Sequence, residues 1–158
     1  MMPNVLPATS TRVERATSPA LNERIRMHTD ARIARLESAK PVELEARLDE
    51  LDREWDIERL LQANASTLVM IGVALGYAWD RRFLLLPAAV LTFFAQHALQ
   101  GWCPPIPLFR RRGVRTRREI ERERYAIKAL RGDFDGVPSP GSADPATRAR
   151  AALAAVDR

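Results

Sequence analysis

Between Leu60 and Cys103 the chain carries two apolar runs of membrane-spanning length, separated only by Asp80-Arg81-Arg82. The first, Leu60 to Trp79, contains no charged residue. Wound as a helix at 1.5 Å per residue it reaches roughly 30 Å, the thickness of a bilayer's hydrocarbon core. Its first third is polar, so the strongly apolar part is nearer about fifteen residues, which is short for a span. The second run, Phe83 to Cys103, has no Asp, Glu, Lys or Arg and opens on Phe83-Leu84-Leu85-Leu86. Pro87 falls in its first turn or just beyond, where a missing backbone N–H costs least. Tyr77 and Trp79 lie at one end of the pair and Trp102 at the other, as in the aromatic belts of membrane proteins. A soluble bundle would have to wrap such a hairpin in further apolar helices, and the chain has too few. The expected fold is an all-α membrane protein, a two-helix transmembrane hairpin flanked by cytoplasmic amphipathic helices.

Charge sets the expected orientation. Six of the nine residues from Arg110 to Arg118 are arginine. Near the span ends, Arg47, Arg53, Arg59 and eight arginines from Arg110 to Arg124 stand on one side, against Arg81 and Arg82 in the turn. Eleven against two places both termini in the cytoplasm of a bacterial inner membrane, with Arg110, Arg111, Arg112, Arg115, Arg117 and Arg118 determining the topology. The net charge of +5 is then explained by topology, so lipid and not nucleic acid is the expected partner. Met1 to Ala20 has no apolar core and contains Pro3, Pro7 and Pro19, so insertion is expected to be driven by the hairpin itself. The single cysteine, Cys103, excludes an internal disulfide. With 158 residues there is no room beside the hairpin for a large soluble enzyme.

The flanks divide accordingly. Residues 1–19 read as a disordered tail and 20–59 as a cytoplasmic helical segment. The hairpin occupies 60–109, with spans at about 60–79 and 83–103. A basic cytoplasmic helix follows over 110–134, and 135–158 reads as a flexible tail with at most a short Ala/Arg-rich helix. Leu21, Ile25, Ile33 and Leu36 share one helical face, and Leu44, Leu48, Leu51 and Trp55 share another within a helix expected from Val42 to Leu61, with Pro41 at its start. Thr116-Arg117-Arg118-Glu119 fits a capping box that opens a helix reaching about Arg131 before Gly132. An acidic helix thus enters the membrane and a basic one leaves it on the same face. The two either pair with each other or leave the basic one to lie on anionic headgroups.

Within the spans, Gly72-Val73-Ala74-Leu75-Gly76 is a small-xxx-small pattern that lets helices approach closely. Thr92, Gln96 and Gln100 recur every four residues and form one polar stripe, which is expected to face another helix and not lipid. Interhelical hydrogen bonding in a homo-oligomer fits neutral amides better than a proton or solute path. His97 and Cys103, six apart, do not share a helical face and lack further ligands for a metal. No cofactor and no enzymatic activity are expected.

The stretch from Gly101 to Thr116, with Gly101, Cys103 and Pro104 forming a Gly-x-Cys-Pro motif, resembles a known family. It is similar to the bacterial inner-membrane domain of unknown function typified by the YgaP transmembrane domain, a two-helix hairpin that ends in this motif. Asp52 to Arg59 also resembles the lead-in segment of stand-alone members, and the resemblance covers roughly Leu48 to Phe134. It implies a hairpin with cytoplasmic termini that associates through its helices. Some relatives carry a fused rhodanese, for which this chain has neither the second cysteine nor the room. The function expected is that of a small integral membrane anchor or interaction module. The alternative is a sulfur-handling or redox accessory protein using Cys103, whose neighbouring arginines would favour the thiolate. The competing structural role for Cys103 is that of a small residue before the helix-ending Pro104-Pro105.

Overall fold

A computed structural model describes residues 6–157, and among these every regular element is helical. In chain order the helices are α1 (Arg12–Arg15), α2 (Pro19–Leu36), α3 (Pro41–Arg53), α4 (Ile57–Ala78), a 3₁₀ turn (Arg81–Leu84), α5 (Leu85–Gln100), α6 (Ile106–Arg111), α7 (Arg117–Leu130) and α8 (Pro145–Asp157). They sort into two compact units. One holds Trp55–Ile120 and the described residues up to His28; the other holds Thr29–Glu54 and the residues from Glu121 onward.

The hairpin is the frame of the first unit. The helix expected through Val42–Leu61 breaks at Glu54–Asp56 instead of continuing. Asp56 explains the break, because its carboxylate accepts the Arg59 backbone N–H at 2.8 Å and so caps α4. The Ile57 N–H then donates to the Arg115 carbonyl at 2.9 Å, fixing the start of α4. Trp55 consequently leaves the α3 face and lies half exposed, with the Arg59 guanidinium 4.3 Å above its ring. At the far end, Asp80 caps the 3₁₀ turn by accepting from the Arg82 N–H at 2.8 Å, and the chain reverses there into α5.

The stretches Pro41–Ala78 and Arg81–Gln100 are long and apolar enough to cross a membrane by length and composition. Only 17% and 11% of their most apolar windows are buried within the chain. The second run is shorter than the expected 83–103. Helix α5 stops at Gln100, and Gly101 at φ 79° accepts the left-handed cap conformation while its N–H donates to the His97 carbonyl at 2.8 Å.

The apolar core of this unit lies at the open end of the hairpin. Val13, Ile57, Leu61, Cys103 and Ile106 form it, with Phe94, Phe109 and Val114 packed against it. Residues 6–19, expected as a disordered tail, instead contribute helix α1, whose Val13 is 4% exposed in that core. The sequence signal is missing because a single turn of helix with one apolar residue has no periodicity to read.

In the second unit, Leu44, Leu48 and Leu51 of α3 are buried, together with Ile127 of α7. The acidic and basic helices pair directly here. Arg124 meets Asp52 at 2.6 Å, and the fully buried Glu123 accepts from Arg47 at 2.8 Å and from Arg32 at 3.2 Å. The C-terminal region is helical over Pro145–Asp157, with Asp144 capping by accepting the Ala146 and Thr147 N–H groups at 3.0 Å. Ala155 is buried and the Val156 carbonyl accepts from Lys128 at 2.6 Å, so this helix has a seat that its composition alone does not announce.

Candidate functional site: the polar junction at the open end of the hairpin

Two buried polar networks meet the core of the first unit. In the first, Glu58 sits one residue into α4 and bridges two partners. Its Oε1 accepts from Arg12 Nη2 and its Oε2 faces His97 Nε2, each at 2.8 Å. His97 is 2% exposed and its ring lies stacked beside Phe94 with centroids 6.3 Å apart. Nε2, facing a carboxylate, donates to it, while the buried Nδ1 has no hydrogen-bond partner among the described residues. Arg12 Nε is likewise buried without a partner. The trio ties α1, α4 and α5 together at one level of the hairpin.

The second network is built on Arg110, which is wholly buried. Its Nη1 donates to Glu119 Oε2 at 2.6 Å and to the Val114 carbonyl at 2.9 Å, while Nη2 donates to Glu119 Oε1 at 2.7 Å and to Asn22 Oδ1 at 2.8 Å. This is a bidentate fork on a carboxylate, the strong form of the ion pair. Glu119 also completes the capping box read from the sequence, accepting the Thr116 N–H at 2.8 Å while its own N–H donates to Thr116 Oγ1 at 3.2 Å. Glu14 joins from α1 by accepting from Thr116 Oγ1 and from Arg118 Nη1, both at 3.3 Å.

Burial pushes the Glu119 carboxyl upward. The Arg110 guanidinium and the Thr116 hydrogen bonds more than offset it and hold the carboxyl below the usual carboxylate range. A carboxylate depressed in the folded state contributes stability above its unfolded pKa of roughly 4.3, and that contribution fades as pH falls through the lower folded value. Thermal melting of the purified protein, followed from pH 6 to pH 3, should therefore show a loss of stability below about pH 4 that is smaller in Glu119→Gln, where only other depressed carboxylates such as Glu58 remain. An identical pH profile for the two proteins would remove Glu119 from the account.

The residues singled out in the sequence fall in different places. Gly72 and Gly76 are buried inside the hairpin itself. A Cβ on Gly72 would run into the Pro87 ring, and one on Gly76 would lie 2.6 Å from Leu84 Cδ2. The glycine notch is thus filled within the hairpin, by the Pro87 ring of α5 and by Leu84 of the preceding 3₁₀ turn. Thr92 and Gln100 are exposed and Gln96 is half-buried, so the polar stripe turns away from α4, and the Thr92 hydroxyl is satisfied by the Ala88 carbonyl at 2.8 Å. Gly101 abuts the Arg12 backbone so closely that a Cβ would overlap the carbonyl group. Pro104 follows Cys103, whose carbonyl accepts from the Ile106 N–H at 3.0 Å to start α6.

Cys103 is 7% exposed within the apolar core, and burial pushes its thiol upward. Burial is the only cause of that shift, so the thiolate-favouring effect expected of the arginines does not reach the thiol. Of the six topology arginines, Arg110 and Arg115 are buried inside the fold, while Arg111, Arg112, Arg117 and Arg118 are exposed. Among the described residues, no group of three or more His, Cys, Asp or Glu side chains is placed to hold a metal ion.

Sequence reasoning missed Arg12, Glu58 and Asn22. A signal for Glu58 existed: the Gly72–Pro87 and Gly76–Leu84 contacts set an antiparallel register that brings residue 58 within about one helical turn of His97. That register is visible only once the notch is known to be filled by α5. Compared with protein-family models, with curated proteins and with solved structures, the chain matches none of them. The likeness to the YgaP transmembrane domain therefore rests on the motif residues alone.

Proposed function

We propose that this chain is a small integral inner-membrane protein. Its hairpin crosses the bilayer through residues 60–79 and 83–100, and it serves as a helix-packing anchor that holds a folded helical assembly on the cytoplasmic face. One observation carries the reading: Leu68, Met70, Ile71, Val73, Leu85, Leu91, Phe93 and Leu99 all lie exposed on two helices that bury little against the rest of the chain. A soluble monomer rarely exposes so continuous an apolar surface, whereas lipid tails cover it at no cost.

The orientation with both termini in the cytoplasm is supported by the arginine balance. It survives the burial of Arg110 and Arg115, because insertion reads the unfolded chain. The wide polar junction between 101 and 120 belongs on that same side, since its ion pairs need the protein or water around them. Sulfur or redox chemistry at Cys103 draws no support from a thiol that is protonation-favouring and buried in one apolar core with Val13.

Carbonate washing of membranes tests the anchor reading. The full-length protein should stay in the membrane pellet at pH 11 and in 1 M salt, and should leave it only with detergent. Release by carbonate or salt would mean that the apolar helices are covered by protein, and the reading would fall.

A further inference from the structure

The fold separates the arginines that build the protein from those left to meet something else. Arg110 is locked on Glu119 and Arg115 is buried. Along α7, Arg118 pairs with Glu14 at 3.3 Å, Arg122 with Asp30 at 2.8 Å and Arg124 with Asp52 at 2.6 Å. Arg111 and Arg112, at the end of α6, are exposed, and their side chains make no hydrogen bond or ion pair among the described residues. Helix α6 begins six residues after α5 ends, and its buried Ile106 holds it against the core. Its outer side carries Leu108 at 49% exposure, and Trp102 just ahead of it is 37% exposed. Trp102 meets the exposed Phe93 of α5 edge-on with ring centroids 6.4 Å apart, and a tryptophan and a leucine followed by two unpaired guanidiniums is the composition of a segment lying in the headgroup layer.

We propose that α6 is an interfacial anchor: Trp102 and Leu108 enter the headgroup–acyl boundary while Arg111 and Arg112 bind the phosphates of anionic phospholipids. This rests on the hairpin crossing the membrane, and it moves the lipid-facing charge from α7, where the sequence alone would put it, to two residues of α6. Guanidinium groups suit the partner because they fork onto phosphate oxygens.

The test uses the full-length protein reconstituted in vesicles of equal phosphatidylglycerol and phosphatidylcholine, then re-extracted in mild detergent, with the ratio of the two lipids it retains measured by mass spectrometry. The wild type should be enriched in phosphatidylglycerol. Arg111→Gln with Arg112→Gln should lower the enrichment by about 5-fold for each arginine removed, whereas Arg118→Gln with Arg122→Gln should leave it unchanged. Millimolar inorganic phosphate should not compete. Enrichment that survives in the α6 double variant, that is lost in the α7 variant, or that inorganic phosphate abolishes would overturn the proposal, the last by showing a small-anion site. Carbonate resistance measured on the same samples separates the two ideas: loss of enrichment with retained resistance spares the hairpin, and loss of resistance strikes the hairpin itself.

Discussion

Replacing Glu119 with alanine is expected to destabilise the first unit by about 3–5 kcal/mol, because it strands a buried guanidinium. Arg110 is wholly enclosed, and both of its terminal nitrogens are committed to the Glu119 carboxylate. Asn22 and the Val114 carbonyl would remain as neutral partners, which cannot balance a desolvated charge. The same substitution deletes one half of the capping box and frees the N–H of Thr116. The natural reporter is the Ile57 amide, which is bonded to the Arg115 carbonyl and so closes the junction between the start of α4 and the segment preceding α7. Its hydrogen exchange should accelerate by about 10²–10⁴-fold, the range those energies imply. The paired substitution Arg110→Met with Glu119→Leu should recover much of the loss, since it removes both charges together. If the double variant exchanges as fast as Glu119→Ala, packing and not charge pairing is what the site supplies.

Gly101→Ala is expected to be nearly as severe, and its consequence is local. The position has φ 79°, which an alanine adopts at a cost of about 1–2 kcal/mol. The added methyl would also strike the Arg12 backbone, a rigid neighbour that cannot swing aside as a side chain does. Overpacking of this kind adds about 1–3 kcal/mol. The cheapest relief is displacement of α1, which takes Val13 out of the core and uncovers Cys103. The thiol should therefore be slow to react with maleimide in the wild type and at least about tenfold faster in Gly101→Ala, since 1.4 kcal/mol in the opening equilibrium already gives that factor. Arg12→Gln, which weakens the hold of α1 on Glu58 without touching the glycine, should shift the labelling rate in the same direction. Unchanged labelling in both variants would show that α1 is not what shields the cysteine.

These two sites also mark the limit of what the sequence discloses. The all-helical class and the two apolar stretches were legible because composition and length are read directly from a run of residues. The capping box at Thr116 and Glu119 was legible because its chemistry is local, three residues apart. The acidic and basic helices showed as opposite in charge, and in the second unit they meet at Arg124–Asp52 and Arg47–Glu123. Asp56 was overlooked as a cap because the spacing of Leu44, Leu48, Leu51 and Trp55 suggested an unbroken helix. Arg110 reads in the sequence as one of six topology-setting arginines, since nothing in an arginine cluster says which member will be enclosed. The small-residue pattern at Gly72 and Gly76 announced a close approach without naming the helix that approaches. The Arg12–Glu58–His97 trio joins residues up to 85 positions apart, and only the closed hairpin brings them together. Apart from the local Asp56 cap, each omission is a non-local contact that no periodicity encodes.

The central claim is that residues 60–79 and 83–100 cross the membrane and leave both ends on one side. Cysteine accessibility measures it most directly. In a Cys103→Ser background, Arg82→Cys at the turn should react with a membrane-impermeant maleimide added to intact spheroplasts. Arg150→Cys in α8 should react only after the membrane is permeabilised. Labelling of Arg150→Cys in sealed cells, or protection of Arg82→Cys until the cells are opened, would contradict the hairpin as placed here.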